Sequence, residues 1–146
     1  MVSERLGAAW SDAWPDNERT YATSCHTSLS GMCPPNDYAY WAARQRAPAA
    51  APTSDEARRG HDVFLRRSCA MCHAIDGTPA QGRNAPNLTH VASRMTLGSG
   101  TLENSAANRA AWILDPQHFK PGANMPPQNL PPDEILALNA YLETLR

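Results

Sequence analysis

An all-α fold is predicted for residues 53–146, behind a segment of different character, and three observations predict it. Apolar residues in that region recur three and four apart, the interval that lines one face of a helix. No stretch alternates apolar and polar residues as a half-buried strand would. Capping residues, prolines and first-turn acids stand where helices should start and stop.

Residues 1–33 keep no helix or strand period, because polar and turn residues interrupt every short apolar run. Residues 34–46 are expected to make one short helix after Pro34 and Pro35. Ala47 to Pro52 reads Ala-Pro-Ala-Ala-Ala-Pro, a stiff extended linker and a natural boundary. Thr53 and Glu56 then form a capping box, opening a helix expected to reach about Arg67. Ala57, Gly60, His61, Phe64 and Leu65 fall on roughly one side of it. A glycine inside a helix costs about 1 kcal/mol against alanine, so Gly60 should mark a close approach by another element. A second helix is expected from Thr89 to Gly98, with Met95 in the core. A third should begin at Asn104 as cap and stop before Asp115-Pro116, since a residue preceding proline is pushed out of helical geometry. Pro116 to Leu130 reads as a loop. The last helix should start near Pro131-Pro132, with Asp133 and Glu134 facing the positive end of its dipole. Ile135, Leu138, Leu142 and Leu145 form its apolar stripe, with Tyr141 alongside.

Length and charge narrow the function. With 146 residues, net charge −1 and 18% charged side chains, the chain lacks the basic excess of a nucleic-acid binder. It has no run of 18 apolar residues that could cross a membrane, and its opening residues lack the apolar stretch of a secretory signal. Four cysteines are too few for a disulfide scaffold.

Cysteine placement is more informative. Cys69-Ala70-Met71-Cys72-His73 is a Cys-x-x-Cys-His run, the attachment signature of c-type haem. On one helical turn the two thiols can reach two vinyl groups on one edge of a porphyrin, and the next residue aims its imidazole at the iron. Shuffling this composition would produce the pattern in roughly three sequences per thousand. A thioredoxin-like redox pair would need a βαβ setting, which this region lacks. A zinc site would need a second ligand pair, and Cys25 and Cys33 lie across the proline linker at a non-motif spacing. A simple disulfide is the remaining alternative.

Haem iron takes two axial ligands, and His73 supplies one. Candidates for the other are Met125, Met95, His61, His90 and His118. Met71, between the two cysteines, cannot reach over the ring. Met125 is preferred: it sits in the stiff loop Lys120-Pro-Gly-Ala-Asn-Met125-Pro-Pro127, far enough along the chain to wrap the opposite face.

Residues 53–146 resemble a class I cytochrome c domain, in which three to four helices surround a covalently bound haem. The matching residues are Gly60, Phe64, Cys69-x-x-Cys72-His73, Pro86-Asn87-Leu88, Trp112, Asn124-Met125-Pro126 and Tyr141. The resemblance implies that the first and last helices cross at Gly60, that the Pro86 carbonyl accepts the proton on the far nitrogen of His73, and that Trp112 lies near a haem propionate. Ala85 departs from the glycine usual before that proline. Residues 84–97, and 111–117 followed by Lys120-Pro121-Gly122, further resemble the haem domain of subunit II of caa3-type cytochrome c oxidase, where membrane helices and a copper-binding cupredoxin domain come first. Residues 34–46 are similar to the tail of that copper domain. Its dicopper motif aligns loosely with Tyr21 to Met32: Cys25 and Met32 match, but Tyr21 stands for a cysteine and Leu29 for the histidine. No dicopper centre is therefore expected, and residues 1–33 read as unassigned, at most a remnant of the cupredoxin domain.

The resulting expectation is one covalent haem c with His73 and Met125 as axial ligands, transferring electrons within or to a terminal oxidase. The alternative is a stand-alone soluble cytochrome c, or the haem domain of another periplasmic redox enzyme. By itself the domain is an electron carrier, and enzymatic activity would belong to the oxidase. Partners would be redox proteins, either a cytochrome c donor or the oxidase copper site. Haem is attached outside the cytoplasm, so the chain reads as the C-terminal part of a longer anchored subunit. It would work in the periplasm or on the outer face of the bacterial cytoplasmic membrane, touching the membrane only through upstream helices or partner subunits. Arg58, Arg59, Arg66 and Arg67 could form a basic docking patch, against a default of a solvated helix face.

Overall fold

A computed structural model describes residues 37–146, with side chains described from residue 41 onward. Cys25, Cys33 and the Tyr21-to-Met32 stretch compared with the dicopper motif lie outside the described residues. The chain divides into two compact units, residues 1–46 and 47–146. In the first, helix α1 spans Asp37–Arg46, after the prolines as expected, with Arg44 and Arg46 in its last turn, where they complement the helix dipole.

The second unit is helical, as the pattern predicts. It begins with the Ala/Pro stretch, which has no regular structure but is fastened: the Ala49 amide donates to the Asp76 carbonyl at 2.8 Å. Helix α2 spans Asp55–Arg66. Its cap is Ser54 rather than Thr53, the Ser54 hydroxyl accepting from the Ala57 amide at 3.1 Å. A one-turn helix α3, Cys69–Cys72, follows at once.

Between Thr89 and Gly98 the structure departs from the expected helix. A single 3-10 turn covers Val91–Ser93, and a two-stranded antiparallel hairpin follows, β1 Thr96–Leu97 pairing with β2 Leu102–Glu103. Two forces defeat the helix. Gly98, Ser99 and Gly100 turn with φ of 58°, 61° and 88°, left-handed geometry that two glycines permit. The Asn104 side-chain amide also donates to the Val91 and Arg94 carbonyls, each at 2.7 Å, replacing the donors a continuing helix would supply. Met95, expected in the core, is consequently 71% exposed.

Helix α4, Ala106–Leu114, is capped by Ser105 instead of Asn104 and stops before Pro116 as predicted. Pro116–Phe119 adds one turn, α5, within the expected loop; Asp115 caps it by accepting from the His118 amide. Helix α6 spans Pro132–Thr144.

Helices α2 and α6 pack directly on each other and carry the core. Val63 and Phe64 meet Ile135, Leu138, Tyr141 and Leu142, with Ile75, Val91, Ile113 and Leu130 completing the cluster. Gly60 is the close approach its sequence position implies. A Cβ there would lie 2.5 Å from the Ala137 carbonyl carbon and 2.7 Å from the Tyr141 Cβ, so backbone as well as the aromatic residue occupies the space. Arg67 pairs with Glu134 at 2.6 Å and Arg59 with Asp133 at 3.7 Å across this crossing. Buried Arg109 ties α4 to α6 by donating to Asn104, Asn139 and Glu143. Among the described residues no helix is long and apolar enough to cross a membrane.

Candidate functional site

The Cys69-to-His73 run folds as one helical turn, closed where the His73 amide donates to the Cys69 carbonyl at 2.9 Å. Both cysteines are free thiols and half-buried, the form thioether attachment requires. Burial pushes the Cys69 thiol above its ordinary value. At His73 the backbone becomes extended, so the chain leaves the turn and doubles back.

The returning segment is packed against the turn at backbone distance. A Cβ at Gly82 would sit 2.7 Å from both the Cys72 and His73 amide nitrogens, which only glycine avoids. The Ala85 amide donates to the Cys72 carbonyl at 3.0 Å and the Leu88 amide to the Ala74 carbonyl at 2.8 Å. This brings the Pro86 carbonyl within 2.7 Å of His73 Nδ1. A carbonyl can only accept, so Nδ1 carries the proton and Nε2 keeps its lone pair for a metal. Ala85 does not disturb this contact.

A small polar network holds the Pro86 peptide. Asn87 Nδ2 donates to Asp76 at 3.0 Å, while Asn87 Oδ1 accepts from the Thr89 amide at 2.8 Å and from its hydroxyl. The buried Thr89 hydroxyl oxygen in turn accepts from the Asp76 amide at 2.8 Å. Arg94 donates to the Asn87 carbonyl. Burial lowers the basicity of His73, the Pro86 bond opposes that, and the Arg94 charge adds to it. The net direction favours the neutral imidazole, the form that can ligate a metal.

Met125 is half-buried against the core. The loop carrying it approaches the cysteine turn at one point, where the Ser68 hydroxyl donates to Gln128 Oε1 at 3.1 Å. The other candidate ligands are engaged differently. His61 lies edge-on to Tyr141 at 5.2 Å, and His118 edge-on to Phe119 at 4.9 Å. Both ring nitrogens of His90 face carbonyls, Arg146 at 2.8 Å and Ala47 at 3.1 Å. Met71 is 75% exposed. Trp112 covers the hairpin turn, its ring 2.7 Å from where a Gly98 Cβ would be.

The donor set suits a haem: two thiols on one turn, an oriented imidazole and a thioether on a separate loop. Ala70, Leu88, Leu97 and Met125 are apolar and packed against the core, yet only partly buried. The arginine patch is largely neutralised, since Arg58 pairs with Asp55, Arg59 with Glu56 and Arg67 with Glu134.

Sequence reasoning passed over Gly82, the Asp76–Asn87–Thr89 network and Gln117. Gly82 lies outside any helix, so the helix-interior cost that marked Gly60 did not apply to it. Gln117 has no such signature; its part emerges only from the path of the loop, which its side chain spans at 2.6–3.2 Å.

A family model described as Cytochrome c matches residues 57–146. Proteins named cytochrome c oxidase subunit 2 are similar over much of the chain. That of Alkalihalophilus pseudofirmus is 36% identical over 112 residues, covering 76% of this chain and 32% of the relative. That of Bacillus sp. (strain PS3) is 36% identical over 107 residues, covering 70% and 30%. That of Bacillus subtilis is 36% identical over 98 residues, covering 64% and 27%. The chain therefore spans about a third of the length of these relatives.

Proposed function

The chain belongs to the cytochrome c family, and from that premise we propose that residues 53–146 form an electron-transfer domain holding one covalent haem c. Cys69 and Cys72 supply the two thioether sulfurs, and His73 and Met125 are the axial ligands. The family implies the haem; the observation that carries the site is the 2.7 Å contact of His73 Nδ1 with the Pro86 carbonyl on the Cys-x-x-Cys-His turn, which orients His73 as a ligand.

When bound, the haem supplies a one-electron iron couple. The protein's part is to hold and tune it. Pro86 fixes the ring plane of His73 and raises the donor strength of Nε2. The Met125 thioether, a soft ligand, favours the ferrous state and raises the potential. Trp112 and the partly buried apolar side chains limit water at the ring, which lowers the reorganisation accompanying electron transfer. With His73 and Met125 both holding the iron, the domain would carry electrons and would offer no open position for substrate chemistry.

The relatives named cytochrome c oxidase subunit 2 support an oxidase setting. In that setting the domain receives electrons from a cytochrome c donor and passes them to the copper site of the oxidase. It works on the outer face of a bacterial cytoplasmic membrane, contacting the membrane through upstream helices or partner subunits.

Absorption spectra of the oxidised and reduced protein, matured with the haem-attachment machinery, test the assignment. A c-type spectrum with a long-wavelength sulfur–iron band, lost in Met125→Ala, is expected. Covalent haem without that band would remove Met125 as ligand, and a folded product without covalent haem would overturn the assignment altogether.

A further inference from the structure

We propose that Gln117 is the positioning residue for Met125: its side-chain amide grips the loop that carries the sulfur and sets how firmly that sulfur stays on the iron. This rests on Met125 being an axial ligand.

The loop from Lys120 to Pro126 has little regular backbone support. Gly122 sits at φ +85°, and the Ala123 amide closes one turn onto the Lys120 carbonyl at 3.0 Å. The remaining support comes largely from one side chain. Gln117 Nε2 donates to the Ala123 carbonyl at 2.6 Å and to the Met125 carbonyl at 3.2 Å. Its Oε1 accepts from the Gly122 amide at 3.0 Å. Three backbone groups, including that of Met125 itself, thus converge on a single amide.

The anchor is itself rigid. Gln117 follows Pro116, which is almost wholly buried, on the short turn α5, and Asp115 caps that turn. Lys120 Nζ also donates to the Gly98 carbonyl at 2.9 Å, fixing the start of the loop to the hairpin. Only an amide can serve here. The contacts need two donated hydrogens and one acceptor from the same planar group, which glutamine supplies and neither glutamate nor leucine does. A glutamate would turn a negative oxygen toward two carbonyls.

The chemical consequence is selective. A thioether is a weak ligand to ferric iron, so its hold in the oxidised state depends on how little the loop moves. Loosening the loop should therefore cost little covalent attachment, which belongs to Cys69 and Cys72, but should open the Met125 side to competing ligands.

The test is titration of the oxidised holoprotein with imidazole, followed by the sulfur–iron band, in the parent, Gln117→Leu, Gln117→Glu and Asn139→Ala. Asn139 belongs to the Arg109 network between α4 and α6, so its loss perturbs stability away from the loop. Imidazole affinity is expected to rise about tenfold in both Gln117 variants, the size set by losing one or two net hydrogen bonds, and to stay at the parent value in Asn139→Ala. Two Gln117 variants guard against one failing to fold. Parental imidazole affinity in whichever Gln117 variants fold, or an equal rise in Asn139→Ala, would overturn the positioning role while leaving Met125 as ligand. A parent that lacks the band, or a Met125→Ala variant that keeps it, would instead remove the ligand assignment and this inference with it.

Discussion

Gly60→Ala separates helix propensity from packing, because the two predict opposite signs. In an isolated helix the substitution would stabilise by about 1 kcal/mol. Here the added carbon would lie 2.5 Å from the Ala137 carbonyl carbon and 2.7 Å from the Tyr141 Cβ, where ordinary contact begins at 3.4 Å. The obstruction is mostly backbone, so no rotamer change relieves it, and α2 and α6 must part by roughly 1 Å at the crossing. A radial gap of about 0.5–1 Å forfeits a quarter to a half of the contact energy. Four large side chains, Val63, Phe64, Leu138 and Tyr141, are each at most 3% exposed in this cluster. Full burial of each contributes about 1.5–3 kcal/mol. At the middle of that range the four contribute about 9 kcal/mol, so losing a quarter to a half amounts to about 2–4.5 kcal/mol, and the propensity gain leaves a net loss of about 1–3.5 kcal/mol. For a domain of this size the midpoint of thermal unfolding should fall by roughly 5–20 °C. Denaturant unfolding of the haem-loaded protein, followed by far-ultraviolet circular dichroism, should show a lower midpoint at unchanged slope. A variant as stable as the parent, or more stable by the propensity increment, would refute the tight crossing.

Gly82→Ala should act on the site rather than on the core, since its Cβ would meet the Cys72 and His73 amide nitrogens at 2.7 Å. The expected result is a several-fold lower haem-to-protein ratio after maturation, measured on purified protein, and parental loading would count against the close backbone packing. Tyr141 should ionise only at about 12, because burial disfavours its phenolate. The group therefore leaves stability unchanged below the ordinary 10.0 and lowers it as pH climbs from there to about 12, where the unfolded chain's tyrosine ionises and the folded one does not. A phenolate titration that shows all four tyrosines ionising together near 10 would contradict that burial.

What the sequence disclosed follows the range of the forces involved. Helices α2 and α6 were legible from an apolar side and local start signals, and α4 from its cap and its proline stop; the ends of α2 and α4 shifted by only a residue where a neighbouring serine capped instead. The Cys69-to-His73 turn was legible because its chemistry lies within five consecutive residues. Residues 89–98 were misread because their apolar spacing mimics a helix. What decides against one is remote: Asn104 supplies donors to the Val91 and Arg94 carbonyls, and the glycines at 98 and 100 allow a left-handed turn. Met95 left the core for the same reason.

The site divides along the same line. In the proposed function its covalent half would need only sequence neighbours, whereas the second ligand would be delivered by a loop with almost no secondary structure. Such a loop can be precise only if side chains do what a backbone ladder does elsewhere. Gln117 meets three of its backbone groups, Lys120 pins its start to the hairpin, and Gln128 joins its end to Ser68 beside the cysteine turn. Each of these contacts links a residue to backbone or side chain outside any local pattern, so no periodicity announces it. On the His73 side Asn87 plays the corresponding part, held by Asp76 and Thr89 around the Pro86 peptide. Both proposed axial ligands thus lie beside amide side chains, Asn87 in a loop and Gln117 on the short turn α5, while the crossed helices supply the rigid frame on which those segments are hung.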